Sequence, residues 1–245
     1  MFFTNYGEQP IMRNLIVCMR NLIAWLRRHL IAVNWRNLRS VKPVSNVFGF
    51  DRGTPIDRTY IEDFIKNNKS YIKGNVLEIA ESTYSKQFGE HVDQFIVLHV
   101  NDNNKQATIV GDLTKIDALP ECAVHCFICT QTLNFIYDFK AAIVGIRHLL
   151  KEKGVALVTV AGISQISRYD MEKWGDYWRF TPLSIEKTFK EVFGEQNVEV
   201  KVYGNVLAAI SLLEGLASEE LTRAELMFSD PDYPVTIAIK ATKNV

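Results

Sequence analysis

The sequence predicts an α/β fold: a mostly parallel sheet between two helical layers, with an antiparallel edge. Three observations predict it. Short apolar runs alternate with helical patterns from about residue 76 onward, which is how parallel β/α units read. The last two strand-like runs form a terminal pair joined by one helical stretch, an ending that suits an antiparallel edge. At 245 residues, 47% hydrophobic and 23% charged, the chain is long enough for one large domain of this class.

The first forty-three residues read as a separate basic helical arm, and residues 44–245 as the domain. Met12-Arg13-Asn14-Leu15-Ile16 returns as Met19-Arg20-Asn21-Leu22-Ile23, a period that places like residues on one helical face. The first fifty residues hold seven basic side chains, Arg13, Arg20, Arg27, Arg28, Arg36, Arg39 and Lys42, against Glu8 alone, a net of +6. Such a helix, with Trp25 and Trp35 among its apolar residues, suits peripheral contact with an anionic membrane or self-association through residues 11–40. Packing of Leu15, Ile16, Leu22, Ile23, Leu26 and Leu30 on the domain or a second subunit explains the same pattern. Arginines interrupt every long apolar run, so neither a membrane span nor a signal peptide is expected, and the reading is cytoplasmic. Over the whole chain 28 basic and 28 acidic residues cancel, which argues against a protein that coats nucleic acid.

Pro43 to Pro55 is a connector rich in turn residues, and a helix follows from about Asp57 to Asn67. Strands are expected at Val76 to Ile79, Phe95 to Val100, Thr108 to Val110, Cys126 to Thr130 and Val155 to Val160. Ala141 to Leu150 is helical, with Ala142, Ile143, Ile146, Leu149 and Leu150 on one side. Val198 to Tyr203 and Val235 to Ala241 form the final strand pair around a helix from about Val206 to Leu216.

In an open parallel sheet, ligands sit beyond the carboxyl ends of the strands, so chemistry belongs just after each strand. The residues found there are Glu78-Ile79-Ala80-Glu81-Ser82-Thr83, His99-Val100-Asn101-Asp102, Gly111-Asp112-Leu113 and Thr130-Gln131-Thr132. Together with Leu150-Lys151-Glu152-Lys153-Gly154-Val155, Asp176-Tyr177-Trp178-Arg179-Phe180-Thr181-Pro182 and the segment Val47 to Arg58, this order resembles class I S-adenosylmethionine-dependent methyltransferases over about residues 44–240. It looks most like a bacterial branch often found beside polysaccharide-building glycosyltransferases. The resemblance implies a Rossmann-like methyltransferase sandwich, S-adenosylmethionine as cofactor and a small-molecule or glycan acceptor methylated at a hydroxyl oxygen. It sets Glu78, Ile79, Ala80, Glu81 and Thr83 against the methionine part of the cofactor. His99 and Asp102 fall at the ribose, Asp112 and Leu113 at the adenine, and Thr130, Gln131 and Thr132 beside the sulfonium, while Arg52, Gly53 and Tyr60 close the site from the N-terminal side. Two positions depart from the family pattern: Ala80-Glu81 stands where glycine is common, and His99 where Asp or Glu is common.

After the fifth strand, aromatics mix with Arg and Asp in a pattern suited to sugar rings. This points to Arg168, Trp174, Tyr177, Trp178 and Arg179 as substrate-binding residues, and to Tyr169, Asp170 and Asp176 as candidate bases, with His125 and His148 weaker ones. Two competing readings remain. One is a catalytically silent module that kept the fold, favoured by the two departures. The other is a radical S-adenosylmethionine enzyme, since Cys122, Cys126 and Cys129 have the spacing that holds an iron–sulfur cluster. Against the second, Cys126 and Cys129 fall inside an apolar strand and face opposite sides of the sheet, where free cysteines pack as small hydrophobes. No metal is expected.

Overall fold

The computed structural model describes residues 39–244 and, before them, Leu15, Cys18, Met19, Asn21, Leu22, Ile23, Trp25 and Leu26. The chain divides into two units, residues 1–42 and 43–245. In the first, the described residues from Leu15 to Leu26 are helical, and Leu15, Met19, Leu22, Ile23, Trp25 and Leu26 are exposed; the expected roles of Ile16, Leu30 and Trp35 lie outside the described residues. Among the described residues no helix is long and apolar enough to cross a membrane.

The second unit is built on one seven-stranded sheet with the order β3-β2-β1-β4-β5-β7-β6. The strands are β1 (Gly74–Ile79), β2 (Val92–His99), β3 (Ile109–Val110), β4 (Val124–Thr130), β5 (Leu150–Ala161), β6 (Val198–Tyr203) and β7 (Thr236–Thr242). β1 to β5 pair in parallel; β7 runs antiparallel to both β5 and β6, as the terminal strand pair led us to expect. The helices are α1 (Ile56–Asn67), α2 (Thr83–Phe88), α3 (Phe139–Leu149), α4 (Arg168–Lys173), α5 (Pro182–Phe193), α6 (Val206–Glu214) and α7 (Arg223–Met227).

Strand alternation sorts the core into two layers, because successive side chains leave opposite faces. Leu77, Phe127, Cys129, Ala156 and Val158 join α3 and α5 through Ile143, Ile146, Ile185 and Phe189. Val76, Cys126, Ile128, Val155 and Leu157 join α1 and α6 through Ile56, Ile65, Ala208 and Leu212. Cys126 and Cys129 therefore lie on opposite faces, fully buried, and burial pushes both thiols up, Cys129 to about 12. A thiol held protonated in an apolar core is a packing residue, not a cluster ligand. Cys122 is exposed, with its Sγ 3.4 Å from Lys243 Nζ.

One boundary differs from the sequence expectation in a way that matters. β5 begins at Leu150, five residues before the apolar run starts, because Lys151-Glu152-Lys153 extends the strand through a positive φ of 62° at Lys153 whose amide donates to Lys243 O. α5, which the sequence reading did not include, starts at Pro182 behind a Thr181–Ser184 capping box. Gly145 in the middle of α3 has a packing reason: a Cβ there would stand 2.0 Å from Leu113 O. Its hydrogen lets the loop after β3 lie directly on the helix, which fixes the height of Asp112 and Leu113.

Candidate cofactor and acceptor site

The sheet order reverses between β1 and β4, which opens a crevice at their carboxyl ends. Two cavities occupy it. The larger, about 650 Å³, is lined by Ile79 and Ala80 after β1, His99 after β2, Gly111 to Thr114 after β3, and Thr130, Gln131 and Thr132 after β4, with Trp174 and Tyr177 across from them. The smaller, about 240 Å³, is lined by Phe48, Phe50, Asp57, Arg58, Tyr84, Asn134, Ser164, Gln165, Asp176 and Arg179, among others. Thr130, Gln131, Phe135 and Asp170 belong to both, so these residues form the wall where the two spaces meet.

Backbone geometry at the floor is unusual. Ala80 and Gln131, the residues that follow β1 and β4, have φ of 66° and 48°, the left-handed region that costs a side-chain-bearing residue about 1 kcal/mol or more. Ala80 N–H donates to Leu98 O and Gln131 N–H to Thr159 O, so sheet hydrogen bonds hold both turns in place. The turn for which the family commonly uses glycine is therefore present, made with alanine.

Asp112 Oδ1 accepts from the Thr114 amide and hydroxyl (2.9 and 2.8 Å), and Oδ2 lies 3.6 Å from Lys115 Nζ. Burial pushes this carboxyl up, but the Thr114 and Lys115 contacts outweigh it and hold the group below its ordinary value. An ionised acceptor thus faces a cavity whose apolar lining includes Leu98, Leu113 and Ile136. At the end of β2, His99 Nδ1 lies 2.9 Å from Asn101 O, and the ring meets Trp174 edge-on at 5.7 Å. An imidazole with an aromatic neighbour, its Nδ1 also 3.3 Å from the Asn101 amide, stands at the end of β2.

Several expected residues lie elsewhere. Glu78 is buried and lines neither cavity; its carboxylate accepts the Tyr84 and Ser85 amides at 2.9 Å each, capping the start of α2. Burial raises its pKa, against those two hydrogen bonds. Glu81, Thr83 and Asp102 also line neither cavity. Arg52 forms a bidentate ion pair with Glu220, Gly53 packs on Ala217 and Glu219, and the Tyr60 hydroxyl donates to Leu226 O from a fully buried ring. Arg52 and Gly53 tie the connector, and Tyr60 ties α1, to the chain between α6 and the end of α7; none of the three lines either cavity.

The aromatic segment is divided as well. Trp174 and Tyr177, expected at the acceptor, line the larger cavity. Trp178 lines neither, since its indole N–H donates to Ile136 O and Tyr137 O. Arg168 is exposed, with Nη1 directed at Met171 Sδ. Tyr169 is exposed, accepts from Lys173 and lies under that ammonium, away from both cavities. Arg179 does reach the smaller cavity, but as a clamp: it holds Asp176 with two hydrogen bonds (2.5 and 2.9 Å) and donates to the Ser164, Gln165 and Trp178 carbonyls. Burial raises Asp176, and the Arg179 and Ser167 hydrogen bonds more than reverse that, leaving its carboxyl below the ordinary range with both oxygens taken. Asp176 is therefore a poor base. Asp170 stands at the shared wall, its Oδ2 accepting from the Ser167 hydroxyl at 2.6 Å. His125 accepts from the Asn75 amide and His148 Nε2 lies 3.2 Å from Leu119 O, both remote from the cavities.

The sequence reading missed Asp57, Arg58, Tyr84, Asn134 and Gln165. Asp57 has a bland local signature, an acidic residue in the first turn of a helix, and only the tertiary fold brings it to the crevice.

No family model and no curated protein matches the chain. Solved structures do. The [4+2]-cyclase SpnF aligns at 12% identity over 84% of this chain and 89% of its own, with a TM-score of 0.51. A chain of the Haloferax volcanii complex formed with the Trm112 methyltransferase activator aligns at 13% identity over 77% and 92%, with a TM-score of 0.50. The fold is that of the class I methyltransferases. At these identities the likeness speaks for the methyltransferase fold alone, and one neighbour is named for a different reaction, so activity has to be argued from the site. A SAM-dependent methyltransferase from Archaeoglobus fulgidus aligns at 13% identity over 76% and 94%, with a TM-score of 0.48.

Proposed function

We propose that the chain is an S-adenosylmethionine-dependent methyltransferase acting at a hydroxyl oxygen of a small-molecule or glycan acceptor. The observation that carries this reading is the pair of cavities meeting at Thr130, Gln131, Phe135 and Asp170. A group transfer between two bound molecules needs two adjoining spaces with one common wall, because the gain comes from holding the partners in line. The larger space falls within the range of small-molecule sites, and its residues suit the cofactor. Asp112 offers a charged acceptor for an amino group, Leu98, Leu113 and Ile136 an apolar slot for a base, and Thr130 and Thr132 hydroxyl oxygens suit the neighbourhood of a sulfonium. When bound there, the cofactor supplies an electrophilic methyl group. The protein's share is to orient both partners, and Trp174 and Tyr177 suit exclusion of water from the larger space.

The glycan branch rests on the resemblance of the segments at residues 47–58 and 176–182. Residues 1–43 are, in this reading, an arm for localisation or assembly, and residues 44–245 the catalytic domain of a cytoplasmic protein. Calorimetric titration with S-adenosylmethionine and S-adenosylhomocysteine tests the proposal. Micromolar binding is expected. A folded chain that binds neither sinks it, and the silent-module reading, which His99 at the ribose end of β2 favours, then leads.

A further inference from the structure

The smaller cavity holds a carboxylate with little else to do. Asp57, in the first turn of α1, accepts the Arg58 amide through Oδ1 at 2.9 Å and enters no ion pair among the described residues. The other two carboxylates there are committed, Asp170 to the Ser167 hydroxyl and Asp176 to Arg179. We infer that Asp57 is the general base of the transfer and that the acceptor is a neutral polyhydroxyl compound whose reacting hydroxyl donates to it. This rests on the methyltransferase reading of the larger cavity.

Three observations support the assignment. The cavity, about 240 Å³, is below the range of drug-sized sites and suits one small moiety. Asn134 lines it at 3% exposure with an Oδ1 that has no hydrogen-bond partner among the described residues, and a buried amide oxygen calls for a donor such as a second hydroxyl. The charged groups sharing the space are Arg58 on the same helix, Asp170 on α4, and Asp176 with Arg179 after it; Tyr84 from α2 adds a phenol pushed up to about 12. Desolvation raises the Asp57 carboxyl, which disfavours a permanent ion pair with an ammonium and favours proton exchange with a neutral hydroxyl. In the step, the acceptor oxygen forms a bond to the methyl carbon as the carbon–sulfur bond breaks. The bonding pair stays on sulfur, and the hydroxyl proton passes to Asp57 and then to water.

The test uses the full chain, Asp57→Asn and Asp57→Glu. S-adenosylhomocysteine binding is measured by calorimetry, and binding of a methyl glycoside panel with S-adenosylhomocysteine present is measured by saturation-transfer NMR. Transfer of a labelled methyl group is followed to those glycosides and to the matching amino sugars. The native chain should methylate a glycoside with a rate that rises with pH and levels off above the raised Asp57 value. Asp57→Asn should lose about 100-fold or more in kcat and lose that pH step, with KM, glycoside binding and S-adenosylhomocysteine affinity nearly unchanged; Asp57→Glu should recover part of the rate. Retained kcat in Asp57→Asn, preference for the amines, or no glycoside bound or methylated by a chain that binds S-adenosylhomocysteine overturns the inference. Absence of S-adenosylhomocysteine binding instead removes the methyltransferase reading beneath it.

Discussion

The larger and the smaller cavity share a wall but are built in different ways. The floor of the larger is made by the last residues of β1, β2 and β4 and the turns just beyond β1 to β4, so it is set by the strand register, for example Ile79 opposite Leu98 and Thr130 opposite Thr159, while residues 135–138 and 170–177 wall it from the side. The smaller gathers residues from the connector, the start of α1, the turn after β4 and the segment after β5, elements with no common ladder. Its geometry depends on side chains, above all the Asp176–Arg179 pair that ties the residues 164–179 segment together. Backbone-built space tolerates the loss of a side chain; side-chain-built space does not.

The sharpest way to break that contrast is Arg179→Met. It removes the partner of a carboxylate whose side chain is 1% exposed and frees three carbonyls, which should cost about 1.5–3 kcal/mol in denaturant unfolding at neutral pH. Transfer should fail while S-adenosylhomocysteine affinity changes little, because Arg179 lines only the smaller cavity. The pH dependence has a definite sign. The native Asp176 carboxyl sits below its unfolded value, so its contribution is present above that value, about 4, and is lost as pH falls through the lower folded one. The stability gap between native and Arg179→Met should therefore narrow on acidification below about pH 4, leaving the share of the three carbonyl hydrogen bonds. A constant gap would mean that the arginine acts through its carbonyl hydrogen bonds and its packing, not through the Asp176 charge.

Asp112→Ala probes the other cavity. The carboxylate already accepts two hydrogen bonds from Thr114, so part of its role is to shape its own turn. Its second oxygen, 3.6 Å from Lys115 Nζ, should still be worth about 1–3 kcal/mol of cofactor affinity by calorimetry, with glycoside binding intact. Unchanged cofactor affinity would take Asp112 out of the site; loss of glycoside binding as well would mean that the two cavities are not independent.

The same contrast explains what could be read in the sequence. Ala80, His99, Asp112, Leu113 and Thr130 to Thr132 line the larger cavity because position after a strand end is a property of topology, which apolar runs reveal. Glu78 misled because a carboxylate at the end of a strand looks identical whether it meets a ligand or, as here, the amides opening α2. Arg52 and Tyr60 misled for a related reason: their partners Glu220 and Leu226 come from the far end of the chain. Asp57 and Asn134 were invisible because nothing in a first helical turn, or in the turn after β4, announces a cavity formed by segments far apart in the chain.

The smallest expected effect tests how strictly the backbone fixes the larger cavity. Ala80 holds a φ of 66° that glycine reaches without penalty. Ala80→Gly removes about 1–2 kcal/mol of left-handed strain, and the freer unfolded chain takes back about 0.4–1 kcal/mol. A net gain near 0.5–1 kcal/mol in thermal or denaturant unfolding is expected, with S-adenosylhomocysteine affinity unchanged or slightly tighter, because the Ala80 amide keeps its bond to Leu98 O. A gain in stability with weaker affinity would mean that the alanine methyl touches the ligand and that the strain is retained for binding. Strong binding appearing only in the glycine variant would mean that alanine at this turn has cost the chain its cofactor, and that the silent-module reading is correct.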